Sequence, residues 1–332
     1  MRRSSAPGLL VTAAALSLGV APAALAAKPV AVSCGQVITR DTTLANDLRN
    51  CHTIGLVVGA DDVTLDLNGH TVDGDGRADF EGINVKRHDR VRIRHGTVTD
   101  FVEGVAVLLS KGTRVTDLAI ARERHVGVFV SDSRNIAVDR TASSQIAFAG
   151  LYATRSHNVR LRRNSVTASG AGIATRLSDH LTIAGNSLSQ NGGPGINLSD
   201  DTTKSAVNHN GLVDNEDGIV LDNGPTRNVV AANSVSGSGA GVVLIAADAN
   251  RVDRNTLTGG TFAGVVVVGS DRNRVERNSI AGSGHDPDAE AGIHLVSNDD
   301  GSTSDRNLIA RNDLMGDAPD GLLVDRDQRR NR

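Results

Sequence analysis

Eight residues between positions 129 and 222 carry the groups that a sugar-handling surface needs: Phe129, Tyr152, Arg176, Asn197, Ser199, Asp200, Asp201 and Asp222. Aromatic faces stack on sugar C–H bonds, a guanidinium fork holds or polarises a carboxylate, and acids move protons or ligate Ca²⁺. On that chemistry Arg176, Asp200, Asp201 and Asp222 are the catalytic candidates. Phe129, Tyr152, Asn197 and Ser199 are the substrate-binding ones. Spacing ties the set together: Phe129 and Tyr152 are 23 positions apart, as are Arg176 and Ser199, and Ser199 and Asp222.

An interval of 22 or 23 is also the period of the chain. "NRVDRNTL" from Asn250 returns as "NRVERNSI" from Asn273. A glycine followed by a branched aliphatic residue recurs at Gly82, Gly104, Gly127, Gly150, Gly172, Gly195, Gly218, Gly241 and Gly264, and then, at wider spacing, at Gly292 and Gly321. An asparagine register runs beside it at Asn164, Asn186, Asn210, Asn233, Asn255, Asn278 and Asn312. Self-similarity at such a period marks a stack of repeats forming one elongated domain.

Within "GIATRLSDHLTIAGNSLSQNGGP" from Gly172, apolar residues alternate over short stretches broken by Asn, Ser, Asp and Gly, which reads as about three strands and turns per period. No stretch beyond residue 60 keeps apolar residues at helical spacing. The expected fold is therefore all-β: a single parallel β-helix of about eleven coils, each rising roughly 4.8 Å, in a rod on the order of 50 Å long. A core without Trp and with 2% aromatics must be aliphatic. Stacked Asn amides are predicted to form a ladder inside one bend. The register glycines supply positive φ or close backbone packing where a turn enters a strand. Alternation along that strand points the second and fourth residues after each glycine outward, which places Phe129, Tyr152, Arg176, Asn197, Ser199 and Asp222 on one face, with Asp200 and Asp201 in the adjoining turn.

The repeat, with "VGADDVTLDLNGHTVDGDG" from Val58 as an opening coil, resembles the right-handed parallel β-helix repeat proteins of the pectate-lyase-like superfamily over about residues 56 to 325. The resemblance implies a right-handed coil. It does not choose a reaction, because the superfamily includes polysaccharide lyases, glycoside hydrolases, epimerases, phage tailspikes, copper-site accessory proteins and members with no known reaction. The Gly-His-Gly of polygalacturonase-like hydrolases is reduced here to "GHD" at 284–286. The Asp-Pro-His-Asp of epimerase-like and lyase-like members is met only by His285-Asp286-Pro287-Asp288, in another order. Met1 and Met315 are too few for a Met-and-His copper site.

A second candidate arises where the period lengthens, in "GSGHDPDAEA" and "SNDDGSTSD". Insertions in a solenoid become side loops, so 282–291 and 298–305 would flank His294, making His294 and Asp299 the alternative catalytic residues and the loop carboxylates a candidate cation site. The earlier acidic turn, Asp73, Asp75, Asp79 and Glu81, lacks the EF-hand pattern.

The start of the chain has a basic opening, an apolar stretch and the small-residue ending Ala24-Leu25-Ala26, so residues 1–26 read as a secretory signal cleaved near Ala26. Residues 27–59 then form a cap segment, 60–325 the β-helix and 326–332 a charged tail. Cys34 and Cys51 are the two cysteines of an exported chain and are expected to form a disulfide that pins a lid over the first coil. The formal charge of −3, more negative once Arg2 and Arg3 are removed, argues against a nucleic-acid partner. No membrane span is expected after removal of the signal. The functional expectation is a secreted protein that binds, and cleaves by lyase or hydrolase chemistry, an acidic extracellular polysaccharide. It requires no cofactor, with Ca²⁺ as the ion its carboxylates would take. The alternatives are a non-catalytic surface or structural module and a metal-handling accessory protein.

Overall fold

The computed structural model describes residues 28–77, 79–284, 291–298, 301–316, 320–324 and 331. The signal at 1–26, most of the tail at 326–332 and the loop residues 285–290, 299 and 300 lie outside the described residues. Every regular element among the described residues is a strand. Thirteen of them stack in sequence order into one parallel sheet: Gln36–Ile38, Leu56–Val58 and then the eleven glycine-led strands, the last of which is Asp320–Val324. Two further stacks close the coil: Ala137–Asp139 pairs with Arg160–Arg162, and Ala142–Ser144 with Ser165–Thr167. Arg92–Thr99 and Arg114–Ala121 run through both stacks.

Each coil sends inward short Val, Ile and Leu side chains that meet those of the next coil, so the core is one continuous aliphatic column with Phe101 as its one aromatic member. The register glycines do not have positive φ. A Cβ on Gly172 would lie 2.3 Å from the Gly195 carbonyl oxygen, so it is close packing of successive coils that demands glycine.

The asparagine ladder is present as expected. Asn186 Oδ1 accepts from the Asn164 backbone N–H and from its Nδ2, at 2.9 and 3.1 Å, and the same exchange repeats down to Asn312. A second ladder, Asn228, Asn250, Asn273 and Asn307, lines another bend.

The N-terminal end differs from the expected lid. Gln36–Ile38, Thr42–Thr43 and Leu48–Cys51 pair in parallel with Leu56–Val58, Thr64–Asp66 and Thr71–Gly74, so the segment between the cysteines is itself the first coil. The Cys34–Cys51 disulfide ties that coil into a loop. An edge coil with one neighbour has half the contacts of an internal one, and closing a loop of this length stabilises it by about 3 kcal/mol. Replacing both cysteines by serine is expected to lower stability by about that amount and to speed hydrogen exchange selectively across residues 36–51. Uniform exchange along the rod would count against this local role.

Candidate saccharide-binding face

The thirteen-stranded sheet has one face in the core and one toward solvent. Its outer face carries the predicted columns: Phe129 pairs with Tyr152 in register, and Arg176 with Ser199. The structure adds a third outward column. Because each register glycine turns its missing Cβ into the core, alternation breaks there, and the residue ahead of the glycine faces outward. Ala149 and Ala171 therefore pack with Ala174 and Tyr152, apart from the main core. Glu81 and Glu103 stand in the same column as register partners.

Around these acids lies an aromatic strip. His125 stacks on Phe148 with ring centroids 5.2 Å apart, Phe148 meets Tyr152 edge-on at 5.3 Å, and Tyr152 stacks on Phe129 at 5.5 Å. His125 Nδ1 is 3.6 Å from Glu103 Oε1. Burial, and then the charge of Glu81, push the Glu103 carboxyl up to about 7. Arg124 next to His125 pairs with Asp79 at 2.7 Å. Two carboxyl groups one rung apart, the Glu103 one shifted toward neutral pH, with an imidazole beside Glu103 and rings along the next coils, can exchange a proton with a sugar lying on the strip.

The expected catalytic group is brought together only in part. Arg176 is ion-paired to Asp200, which also accepts from Asn223 Nδ2. Asp222 lies on the strand beneath Ser199, and burial and the charge of Asp200 raise its carboxyl. Asp201 instead turns its carboxylate toward Gly224, on the next coil. Ser199 Oγ donates to the Thr175 carbonyl at 3.1 Å, and Asn197 lies between Ala174 and Val220 in the same outward column as Phe129 and Tyr152. Arg176 is thus tied up by Asp200, whereas Glu103 is not neutralised by any arginine ion pair among the described residues.

Beyond Asp222 the face turns apolar, with Val220, Val243 and Val266 clustered beside Ile245, Val268 and Phe262. His294 is buried there, its ring 6.2 Å from that of Phe262. Its proposed partner Asp299 lies outside the described residues.

Glu81, Glu103, His125 and Phe148 were missed by counting alternation forward from each glycine. The recurring Glu-Gly at 81–82 and 103–104 was the available signal.

Residues 103–257 match a family model described as right handed beta helix region, and residues 200–319 match that of the periplasmic copper-binding protein NosD. No curated protein matches the sequence. Among solved structures, the mannuronan C-5 epimerase AlgE4 A-module of Azotobacter vinelandii aligns with a TM-score of 0.64 at 12% identity, over 90% of this chain and 89% of that one. A double mutant of the periplasmic alginate epimerase AlgG gives 0.64 at 15% identity, over 89% and 78%. The catalytic unit of a GH87 α-1,3-glucanase from Streptomyces thermodiastaticus gives 0.66 at 16% identity, over 87% and 62%. Likeness at such identities shows the fold: the chain winds as a right-handed parallel β-helix.

Proposed function

We propose that this chain is an exported protein that binds an acidic polysaccharide along the outer face of its long sheet and cleaves it beside the aromatic strip, with Glu103 as the proton donor and Glu81 as its partner carboxyl group. The observation that carries this reading is the juxtaposition of Glu103, held near neutrality, with His125 and the rings of Phe148, Tyr152 and Phe129. A carboxyl that is partly protonated at neutral pH can protonate a leaving glycosidic oxygen, and a second carboxyl group one rung away offers a base for water or for a sugar C–H. Lys86 stands exposed on the strand Glu81–Lys86 and offers a cation for a uronate. The disulfide suits an oxidising extracellular or periplasmic setting. Structural neighbours named as alginate epimerases and a glucanase support a polysaccharide as the ligand class.

The test is a panel of acidic and neutral polysaccharides, with and without Ca²⁺, read for unsaturated products and for new reducing ends. Unsaturated products establish a lyase, and reducing ends alone a hydrolase. Glu103→Gln should lower turnover by roughly 10²–10⁴-fold with binding retained. Phe129→Ala with Tyr152→Ala should weaken binding itself. Wild-type turnover in Glu103→Gln overturns the assignment, and binding without turnover by the parent leaves a non-catalytic module.

A metal-handling reading draws on the match at residues 200–319. Among the described residues, the one group of three His, Cys, Asp or Glu side chains with converging ligand atoms lies outside that segment.

A further inference from the structure

That group is His157, Asp179 and His180, and we propose that it is a binding site for one borderline divalent transition-metal ion, of the Zn²⁺ type, that links two successive coils. The site is independent of the saccharide reading. His157 Nδ1 lies 3.0 and 3.1 Å from the two carboxylate oxygens of Asp179, and His180 Nδ1 lies 2.6 Å from Asp179 Oδ2. All three ligand atoms fall within 4.8 Å of one another. The rings are tilted by 58° with centroids 5.0 Å apart, so they fan around the carboxylate rather than stack.

Donor atoms bound to one ion at about 2.0–2.2 Å in a tetrahedral arrangement sit roughly 3.3 Å from each other, near the His157-to-carboxylate distance already present and within the 4.8 Å that encloses all three donors. Two imidazoles and one carboxylate form a donor set for Zn²⁺, Cu²⁺ or Ni²⁺ rather than for Ca²⁺, which takes six or more oxygens. All three side chains are about half exposed, which leaves coordination positions for water or an external ligand.

The fold holds the three in place through the backbone. Arg134, His157, Asp179 and Thr203 form an unbroken run of parallel bridges at one turn of successive coils. His157 N–H donates to Ser133 O at 2.9 Å and Asp179 N–H to Ser156 O at 3.1 Å. The next position along this turn is left-handed in each coil, and it is Asn135, then Asn158, then His180, at φ 58, 53 and 56. His180 thus projects from a fixed left-handed turn directly beside Asp179, while His157 stands one coil away over the same carboxylate. On either side the bridge run continues with Lys111 and Arg134 and with Thr203 and Thr226, so the three donors converge at this one level of the turn.

Isothermal titration of the chelator-stripped full chain with Zn²⁺ tests the site. The expected result is one ion per chain, unaffected by millimolar Ca²⁺, with binding weakened roughly 100-fold in the His157→Ala, His180→Ala double variant. Zn²⁺ should raise the melting temperature of the parent and not of the variant. Because the side chains are exposed, the variant should keep the parent's circular dichroism. Equal affinity in the variant, or no binding by the parent at 100 μM, where about that concentration exceeds the dissociation constant expected of a three-ligand site, would overturn the proposal.

Discussion

Replacing Glu123 by Gln should flatten the pH dependence of stability and make the protein more stable than its parent at alkaline pH. Glu123 is buried, in the column that continues through Ile146, Ser169, Asn191 and Asn215. Its Oε2 accepts the Phe101 N–H at 2.7 Å, while Oε1 has no partner among the described residues. Burial is the dominant cause that pushes this carboxyl up to about 9 from an ordinary 4.5, against the lowering effect of the Phe101 N–H. Between those two values the folded state keeps a proton that the unfolded chain has released. The stabilisation is therefore complete below the unfolded value and is lost as pH rises through the folded one, at about 1.4 kcal/mol per pH unit. Glu103 acts in the same direction up to about 7. A glutamine is neutral throughout and keeps an oxygen for Phe101. Denaturant unfolding of both proteins at intervals from pH 5 to pH 9 should show curves within about 1 kcal/mol of each other at the acid end and diverging steadily above it. Parallel curves would mean that Glu123 ionises freely in the fold.

Why that carboxyl was illegible in the sequence, when the rod itself was plain, follows from how the chain encodes its columns. Gly172 and Gly195, or Asn186 and Asn210, repeat one residue type at one register, because close coil packing and amide stacking each admit few substitutes. The second ladder hides because its column is Ile136, Val159 and Leu181 before it becomes Ser205, Asn228 and Asn250, so no single letter recurs along its full length. Glu123 stands among polar turn residues and reads as a solvated charge; only the stacking of Ser169 and Asn191 below it shows that its level of the turn is interior.

The same holds for the sites. Phe129 and Tyr152 follow from alternation, whereas Glu103 depends on a glycine that interrupts alternation, and the partnership of His157 with His180 depends on a left-handed turn that moves one residue of the next coil sideways. Arg176 and Asp200 lie beside one another, and their mutual ion pair takes up the guanidinium charge that the sequence offers to a carboxylate ligand.

Replacing Asn210 by Leu should be among the most destabilising single changes available to this protein, with a cost on the order of 4 kcal/mol or more. The side chain lies in the middle of the ladder and is almost wholly buried. Its Oδ1 accepts from Asn186 N–H and Nδ2, both at 2.9 Å; its Nδ2 donates to the Ile183 carbonyl at 3.0 Å and to Asn233 Oδ1 at 2.9 Å. Leucine is similar in volume but makes none of the four: it takes the acceptor from the buried Asn186 N–H and removes one partner each from Asn186 Nδ2, the Ile183 carbonyl and Asn233 Oδ1, which keeps only the backbone N–H of residue 210, and the hydrophobic gain of one side chain, about 2 kcal/mol, does not offset that. The nearest-neighbour character of a solenoid adds a contrast. At Asn312, near the end of the same ladder and only partly buried, water can reach the stranded groups, so Asn312→Leu should cost about 1 kcal/mol. Urea unfolding of the two variants beside the parent reads the difference. Equal losses would show that the amides contribute through their shape alone, whereas a much larger loss at Asn210 identifies the ladder's buried hydrogen bonds as what holds adjacent coils at the spacing on which the outer columns depend.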